Sequence, residues 1–435
     1  MVQSAVSISL LSTAAALAVT IGIVQEALGT PASGPHATST SAAAPACKLP
    51  LTMPAPSVTS LWAVQEPPLR CPLAGSSWNE RARFIAGLAG DPASQVAKLE
   101  TTKIWKDHRH ALDVDWVALT NRLDKMRTWA RSELDGRIDP RLPLIYVFGG
   151  PDALAAVTLF PQAPSYLLAG LEPVGQASPP EALSQDELDT ALDDVAYALR
   201  TVVRASFFRT REMKKDLRVT AGQEISGVLP ILLLFVARSG YEVLDVERIE
   251  IDSASGATSI RPEGVSFGSG IPAVRVKMRH AETGLSQNLT YMSVDLSNES
   301  LATKPGLFAF MRQYSPGNAL LKAASFILHN NGFSAPRDFL LANAAAVLEE
   351  DSGIPFRYLA GNDWEYTCFG KYARPRPPFQ KRMQQDLETA CAAQPSRPLA
   401  FIIGYRRNAD SNLLLSVKRQ IEAKAEPAKT AGDRR

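Results

Sequence analysis

The chain has 435 residues, 46% of them hydrophobic and 21% charged, with 46 basic against 44 acidic side chains and a net charge of +2. That length and apolar content allow a large buried core and exclude a wholly disordered chain. A charge balance this even excludes a global field that would recruit nucleic acid or an anionic membrane, so no nucleic-acid partner is expected.

Residues 5–24, AVSISLLSTAAALAVTIGIV, form an uncharged, mostly apolar run, with Ala27-Leu28-Gly29 behind it as a small-residue cleavage site. Residues 1–29 therefore read as a signal peptide or an N-terminal membrane anchor, and membrane contact is expected only through this segment. The apolar stretch Val228–Ala237 is too short to span a bilayer. Residues 30–75, rich in Ala, Ser and Pro, read as a linker; 76–420 as a single domain; 421–435 as a charged tail. Four cysteines fit an oxidising compartment, and the sequence-local pairing is Cys47 with Cys71 and Cys368 with Cys391. None of the spacings resembles a structural zinc site.

Within the domain, Asn79–Leu88 and Pro92–Leu99 have helical spacing. Asp107-His108-Arg109-His110, with Asp113 and Asp115, has metal-ligand residue types but no recognised ligand geometry, so no metal is expected there. Trp116, Leu119, Leu123, Met126 and Ala130 lie on one helix face ending near Gly136. Leu144–Phe148 reads as a buried strand, Gly149-Gly150-Pro151-Asp152 as a tight turn and cap, and Ala153–Leu159 as a small-residue helix. A second strand, Tyr166–Leu171, runs into the loop Glu172-Pro173-Val174-Gly175. Such a unit gives neighbouring parallel strands, so Asp152 and Glu172 should emerge at one sheet edge, where open α/β folds place ligands.

Ser184-Gln185-Asp186-Glu187 is a capping box for a long helix that closes on the basic run Arg209–Arg218. Val228–Arg238 reads as a buried helix and Tyr241–Ile251 as a strand. Ala273–Arg279 should pair antiparallel with Leu289–Val294 across Glu282-Thr283-Gly284. Helices are expected at Phe308–Tyr314, Pro316–His329 and Ser334–Glu350, then a strand at Pro355–Leu359. A helix carrying Phe379, Met383, Leu387 and Cys391 and a hairpin of Leu399–Arg406 with Leu413–Lys418 complete the chain. The fold class is α/β: a single domain with a mixed sheet, a central βαβ unit, a later antiparallel part and helices packed on the sheet.

Paired carboxylates at a strand edge can act as acid and base or hold hydroxyl groups, which makes Asp152 and Glu172 the leading catalytic candidates. Asp351 joins them from Glu349-Glu350-Asp351-Ser352-Gly353, where three acids at a helix C-terminus would need compensation by a cation, by Arg357 or by a ligand. Lys322, Ser325 and His329 would form one polar stripe on a helix. Gly149, Gly150, Ser352, Lys322 and His329 are the candidate ligand-binding residues. Gly264-Val265-Ser266-Phe267-Gly268 matches GxSxG, but a strand rather than a helix should follow it, which argues against a nucleophile elbow. No phosphate-binding loop or dinucleotide fingerprint is present, and no cofactor is named by the sequence.

Gly149-Gly150-Pro151-Asp152, Phe160-Pro161, Leu171-Glu172-Pro173-Val174-Gly175, Lys322-Ala323-Ala324-Ser325, Asp351-Ser352-Gly353-Ile354-Pro355 and Gly370-Lys371-Tyr372 resemble an uncharacterised family of exported bacterial proteins. The resemblance covers roughly Trp78–Leu387 and implies one folded unit in the periplasm, with no activity attached. Two readings follow. One is a ligand-binding or envelope-assembly protein, whose partner is a cell-envelope component or small molecule. The other is a periplasmic hydrolase-like enzyme using the acids at the same cleft.

Overall fold

A single apolar triplet, Leu144–Tyr146, is the strand around which the rest is laid out. The structure, a computed structural model, describes residues 76–205, 224–361, 363–372, 384–405 and 411–419. The expected signal segment and linker, Cys47 and Cys71, the basic run at 209–218, Phe379, Met383 and the charged tail lie outside these residues.

In chain order the first helices are α1 (Trp78–Ile85) and α2 (Lys103–Glu133). Ser77 and Glu80 cap α1 reciprocally, and the Thr102 hydroxyl accepts from the Trp105 N–H to open α2. Strand β1 (Leu144–Tyr146), helix α3 (Ala153–Leu159) and strand β2 (Ser165–Gly170) then form the expected βαβ unit, β1 and β2 pairing in parallel. A two-stranded pair, β3 (Gln176–Ala177) with β4 (Ile225–Ser226), brackets α4 (Gln185–Ala205); α5 (Leu229–Arg238) follows. The antiparallel part is β5 (Tyr241–Ile251), β6 (Thr258–Ile260), β7 (Ile271–His280) and β8 (Ser286–Ser293). After α6 (Asn298–Ala302) and α7 (Gly306–Met311) come β9 (Gly317–Leu321), α8 (Ser334–Asn343), β10 (Ala344–Glu349), β11 (Trp364–Gly370), α9 (Gln385–Ala392) and β12 (Asn412–Lys418).

Ten strands make one mixed sheet in the order β11-β12-β10-β9-β1-β2-β8-β7-β5-β6. The inner five, β10-β9-β1-β2-β8, are parallel, and antiparallel strands extend both flanks. Alternate residues face opposite cores. Leu144, Tyr146, Leu320 and Leu348 join the core formed with α1–α5; Ile145, Ala319, Leu321 and Val347 join the one formed with α6–α9. A sheet covered on both faces needs strands that are largely apolar, which is how β1 reads and, apart from Asn318, β9.

That double coverage also explains where sequence reading fails. The expected helix Pro316–His329 is strand β9 followed by a 3₁₀ helix, Ala323–His329. The expected helix Ser334–Glu350 stops at Asn343, and Ala344–Glu349 is strand β10. A short apolar run buried on both faces carries no period, so it reads as strand or helix alike, and tertiary pairing overrides alanine's helix propensity. Pro355–Leu359 is a 3₁₀ turn over Phe356–Tyr358 instead of a strand. Leu399–Tyr405 is not a strand; β12 pairs with β10 and β11 in place of the expected hairpin. The disulfide Cys368–Cys391 is present, tying edge strand β11 to α9 with a Cα–Cα distance of 5.6 Å.

Candidate functional site

Chain order and sheet order diverge on either side of β1. From β1 the chain moves to β2 on one side; from β9, on the other side, it moves away to β10. The loops after β1 and β9 therefore part from each other and leave a crevice at the C-terminal ends of the parallel strands. A cavity of about 280 Å³ sits there, lined after β1 by Phe148, Gly149, Gly150 and Asp152, after β2 by Leu171 and Glu172, and after β9 by Lys322 and Phe326. Val294, Asp295 and Leu296 after β8, with Phe333 and Tyr405, complete the wall.

Two non-glycine residues with left-handed backbone flank the opening. Phe148 has φ 62° at the end of β1, and Ala323 has φ 56° at the end of β9. Such conformations persist only where the surroundings hold them, and they concentrate at ligand-bearing edges. Gly149 has no room for a side chain, since a Cβ would lie 2.9 Å from the Tyr146 ring.

The floor is polar. Asp152 Oδ2 accepts from the Tyr146 hydroxyl at 2.8 Å and lies 2.6 Å from Lys322 Nζ; both charged side chains are almost wholly buried. Its Oδ1 accepts the Ala155 N–H at 3.2 Å, so the same carboxylate caps α3. Tyr291 donates to the Glu172 carbonyl at 2.7 Å, with Glu172 Oε2 3.4 Å away. Burial first, and the neighbouring carboxylate second, push both phenols well above their ordinary range, so they remain hydrogen-bond donors at any physiological pH.

Comparison with protein-family models, curated proteins and solved structures returns no match. The chemistry of the edge has to come from its residues.

Asp152, Glu172, Gly149, Gly150 and Lys322, all singled out by sequence, meet in this cavity. Asp351, Ser352 and His329 are not among its lining residues. The three acids of Glu349-Glu350-Asp351 sit at the end of a strand, so the expected clash with a helix C-terminus does not arise. Backbone groups compensate two of them: Glu349 accepts the Ile354 N–H at 2.7 Å, and Glu350 accepts the N–H groups of Ala323 and of Tyr405, the latter at 3.1 Å. Ser352 Oγ donates to Glu350 at 2.8 Å. Burial, then the Asp351 charge, pushes the Glu350 carboxyl up to about 7. Arg357, the suggested basic partner, lies over the Tyr358 ring.

Tyr146 and Tyr291 were not singled out by sequence, and Glu350 was marked only as one of three adjacent acids, with Asp351 taken as the site residue. A tyrosine inside an apolar strand carries no mark of its function; its hydroxyl acquires one only when Asp152, six residues on, turns back beneath it. His108 is a core residue of α2, hydrogen-bonded through Nε2 to the Ile85 carbonyl at 2.8 Å, and burial pushes its imidazole down to about 4. No cluster of metal-ligating side chains is present among the described residues. A larger cavity of about 610 Å³ opens at the other edge of the parallel strands. It holds Arg127, Arg131 and Arg238 with Asp135 and Glu282, and none of the candidate site residues named from the sequence.

Proposed function

We propose that this protein binds a small molecule at the β1–β9 crevice, one with a flat apolar body and a head that donates hydrogen bonds. The observation that carries the reading is the lining: an aromatic and aliphatic wall of Phe148, Phe326, Ile327 and Phe333 around a floor of carboxylates. Among the lining residues Asp152, Glu172 and Asp295 outnumber the one ammonium, Lys322, with Arg122 acting on Asp152 from outside the lining, which favours hydroxyl or ammonium heads and disfavours a carboxylate. The disulfide Cys368–Cys391 and the apolar run at 5–24 support an exported, periplasmic setting for that ligand.

Binding to the native state raises the melting temperature by mass action. Phenethylamine, phenyl β-glucoside and phenylacetate share an aromatic body and differ in the head. The first two should raise the melting temperature, phenylacetate should not, and Glu172→Gln or Phe333→Ala should abolish the gain. A shift with phenylacetate alone, or with none of the three, would remove this reading. The hydrolase reading of the same cleft rests on the Asp152 and Glu172 carboxylates lying together at its floor; release of phenol from phenyl β-glucoside would favour it.

A further inference from the structure

We propose that Glu350, which does not line the cavity, is the positioning residue of its wall. It fastens the Lys322–Ala323 turn and the Gly404–Tyr405 segment to the end of β10. The inference rests on the cavity described above as the ligand site, but its test does not require a ligand.

Glu350 is 1% exposed, and both carboxylate oxygens face inward. Oε1 accepts the Ala323 N–H and the Ser352 hydroxyl; Oε2 accepts the Tyr405 N–H. Its own N–H donates to the Leu321 carbonyl at 3.2 Å, so one residue holds the end of β9 from two sides. Ala323 follows Lys322 directly and has the left-handed φ of 56°, a backbone state that needs support from outside the segment. Tyr405 is the cavity-lining residue contributed from the far end of the chain, and its ring meets Phe326, another wall residue, with centroids 6.2 Å apart. Gly404 is pressed against the carboxylate so closely that a Cβ there would lie 1.8 Å from Oε2. The segment after β9, which carries Lys322 and Phe326, and the segment carrying Tyr405 are thus joined through a single buried carboxylate.

The groups that face it set its response to pH. Asp351 raises its pKa; Glu349, Tyr372, Tyr405 and Tyr146 share its field, and the donors from Ala323, Ser352 and Tyr405 hold it down. A protonated Glu350 has a proton of its own to place. Among its bonded partners only Ser352 Oγ, a hydroxyl, can accept it. The two N–H groups are then left with a neutral, weaker acceptor. Burial outweighs that loss: the closed wall holds the Glu350 proton more tightly than an opened, hydrated one, so the wall should loosen on the alkaline side of the titration.

Amide hydrogen exchange of Ala323 and Tyr405 tests this in the unmodified protein from pH 5.5 to 8.5, corrected for intrinsic rates, with α5 amides as the control. Protection at both amides should fall roughly tenfold toward alkaline pH, relative to the α5 amides. In Glu350→Gln the side chain offers one oxygen for two N–H groups, so at least one of the two amides should lose protection at every pH, and Glu350→Asp should not restore it. Protection that is flat across the range in the unmodified protein, or retained at both amides in Glu350→Gln, overturns the proposal. The ligand reading fails separately, by absence of any thermal shift.

Discussion

Asp152 and Lys322 lie 2.6 Å apart at 5% and 6% side-chain exposure, with Tyr146 adding a hydrogen bond to the same carboxylate oxygen. Removing one partner of such a pair strands the other charge in the interior, whereas removing both leaves neither member of the pair unpaired. Asp152→Asn should therefore cost about 3–5 kcal/mol in urea unfolding, and Asp152→Asn with Lys322→Met should recover most of it. A double variant as unstable as the sum of its parts would show that the pair is not coupled. Two other buried groups give opposite pH dependences. His108 is pushed down to about 4 from 6.5, so the folded state resists protonation and stability is lost as pH falls from about 6.5 toward 4. Glu350 is pushed up to about 7 from 4.5, so its contribution is present below about 4.5 and is lost as pH rises toward 7. Glu349, also pushed up by burial, acts with the same sign as Glu350. The two slopes offset each other between about 4.5 and 6.5. In His108→Gln stability should rise from pH 7 to pH 5, whereas with Glu349→Gln and Glu350→Gln together it should fall over that range; parallel profiles in urea titrations would contradict both assignments.

At the scale of elements, the caps of α1, α2 and α4 and the faces of α2 and β7 behaved as their residues require, whereas Pro92–Leu99 forms turns that end in the 3₁₀ turn Leu99–Thr101. Ser184 and Glu187 make the expected reciprocal bonds at the start of α4, and the β7–β8 hairpin forms with Val274, Val276 and Met278 buried between exposed or half-exposed basic residues. Elements buried on both sides were the illegible ones. β9 and β10 are short and non-alternating, apolar apart from the buried Asn318 and Glu349, and so carry no polar face in the sequence to mark a strand. The sheet's far flank depends on a covalent tie: Cys368 in β11 and Cys391 in α9 close a loop of sequence separation 23. Replacing both with alanine should lower stability by about 3 kcal/mol, the loop-entropy estimate for a bridge of this span. An unchanged urea midpoint would mean that packing of Leu387 and Trp364 alone holds that flank.

For the whole molecule, the five parallel strands bring to one edge the loops at 148–152, 171–172, 294–296, 322–327 and 350, which span more than half of the described chain. The sequence by itself determined the βαβ unit, the shared edge of Asp152 and Glu172, the hairpin and the fold class, and offered Cys368–Cys391 as the local pairing that the structure contains. These depend on local spacing, turn chemistry and a rule of strand connection, all of which act over a few tens of residues. Only the tertiary structure decided that Lys322 pairs with Asp152, that Tyr146 donates to the Asp152 carboxylate and Tyr291 to the Glu172 carbonyl, and that Glu350 grips Ala323 and Tyr405. Those partners are distant in sequence, except Tyr146, whose pairing depends on the turn that follows it. A side chain's part in such a pair is fixed by strand order and by desolvation, and neither quantity exists until the sheet is assembled.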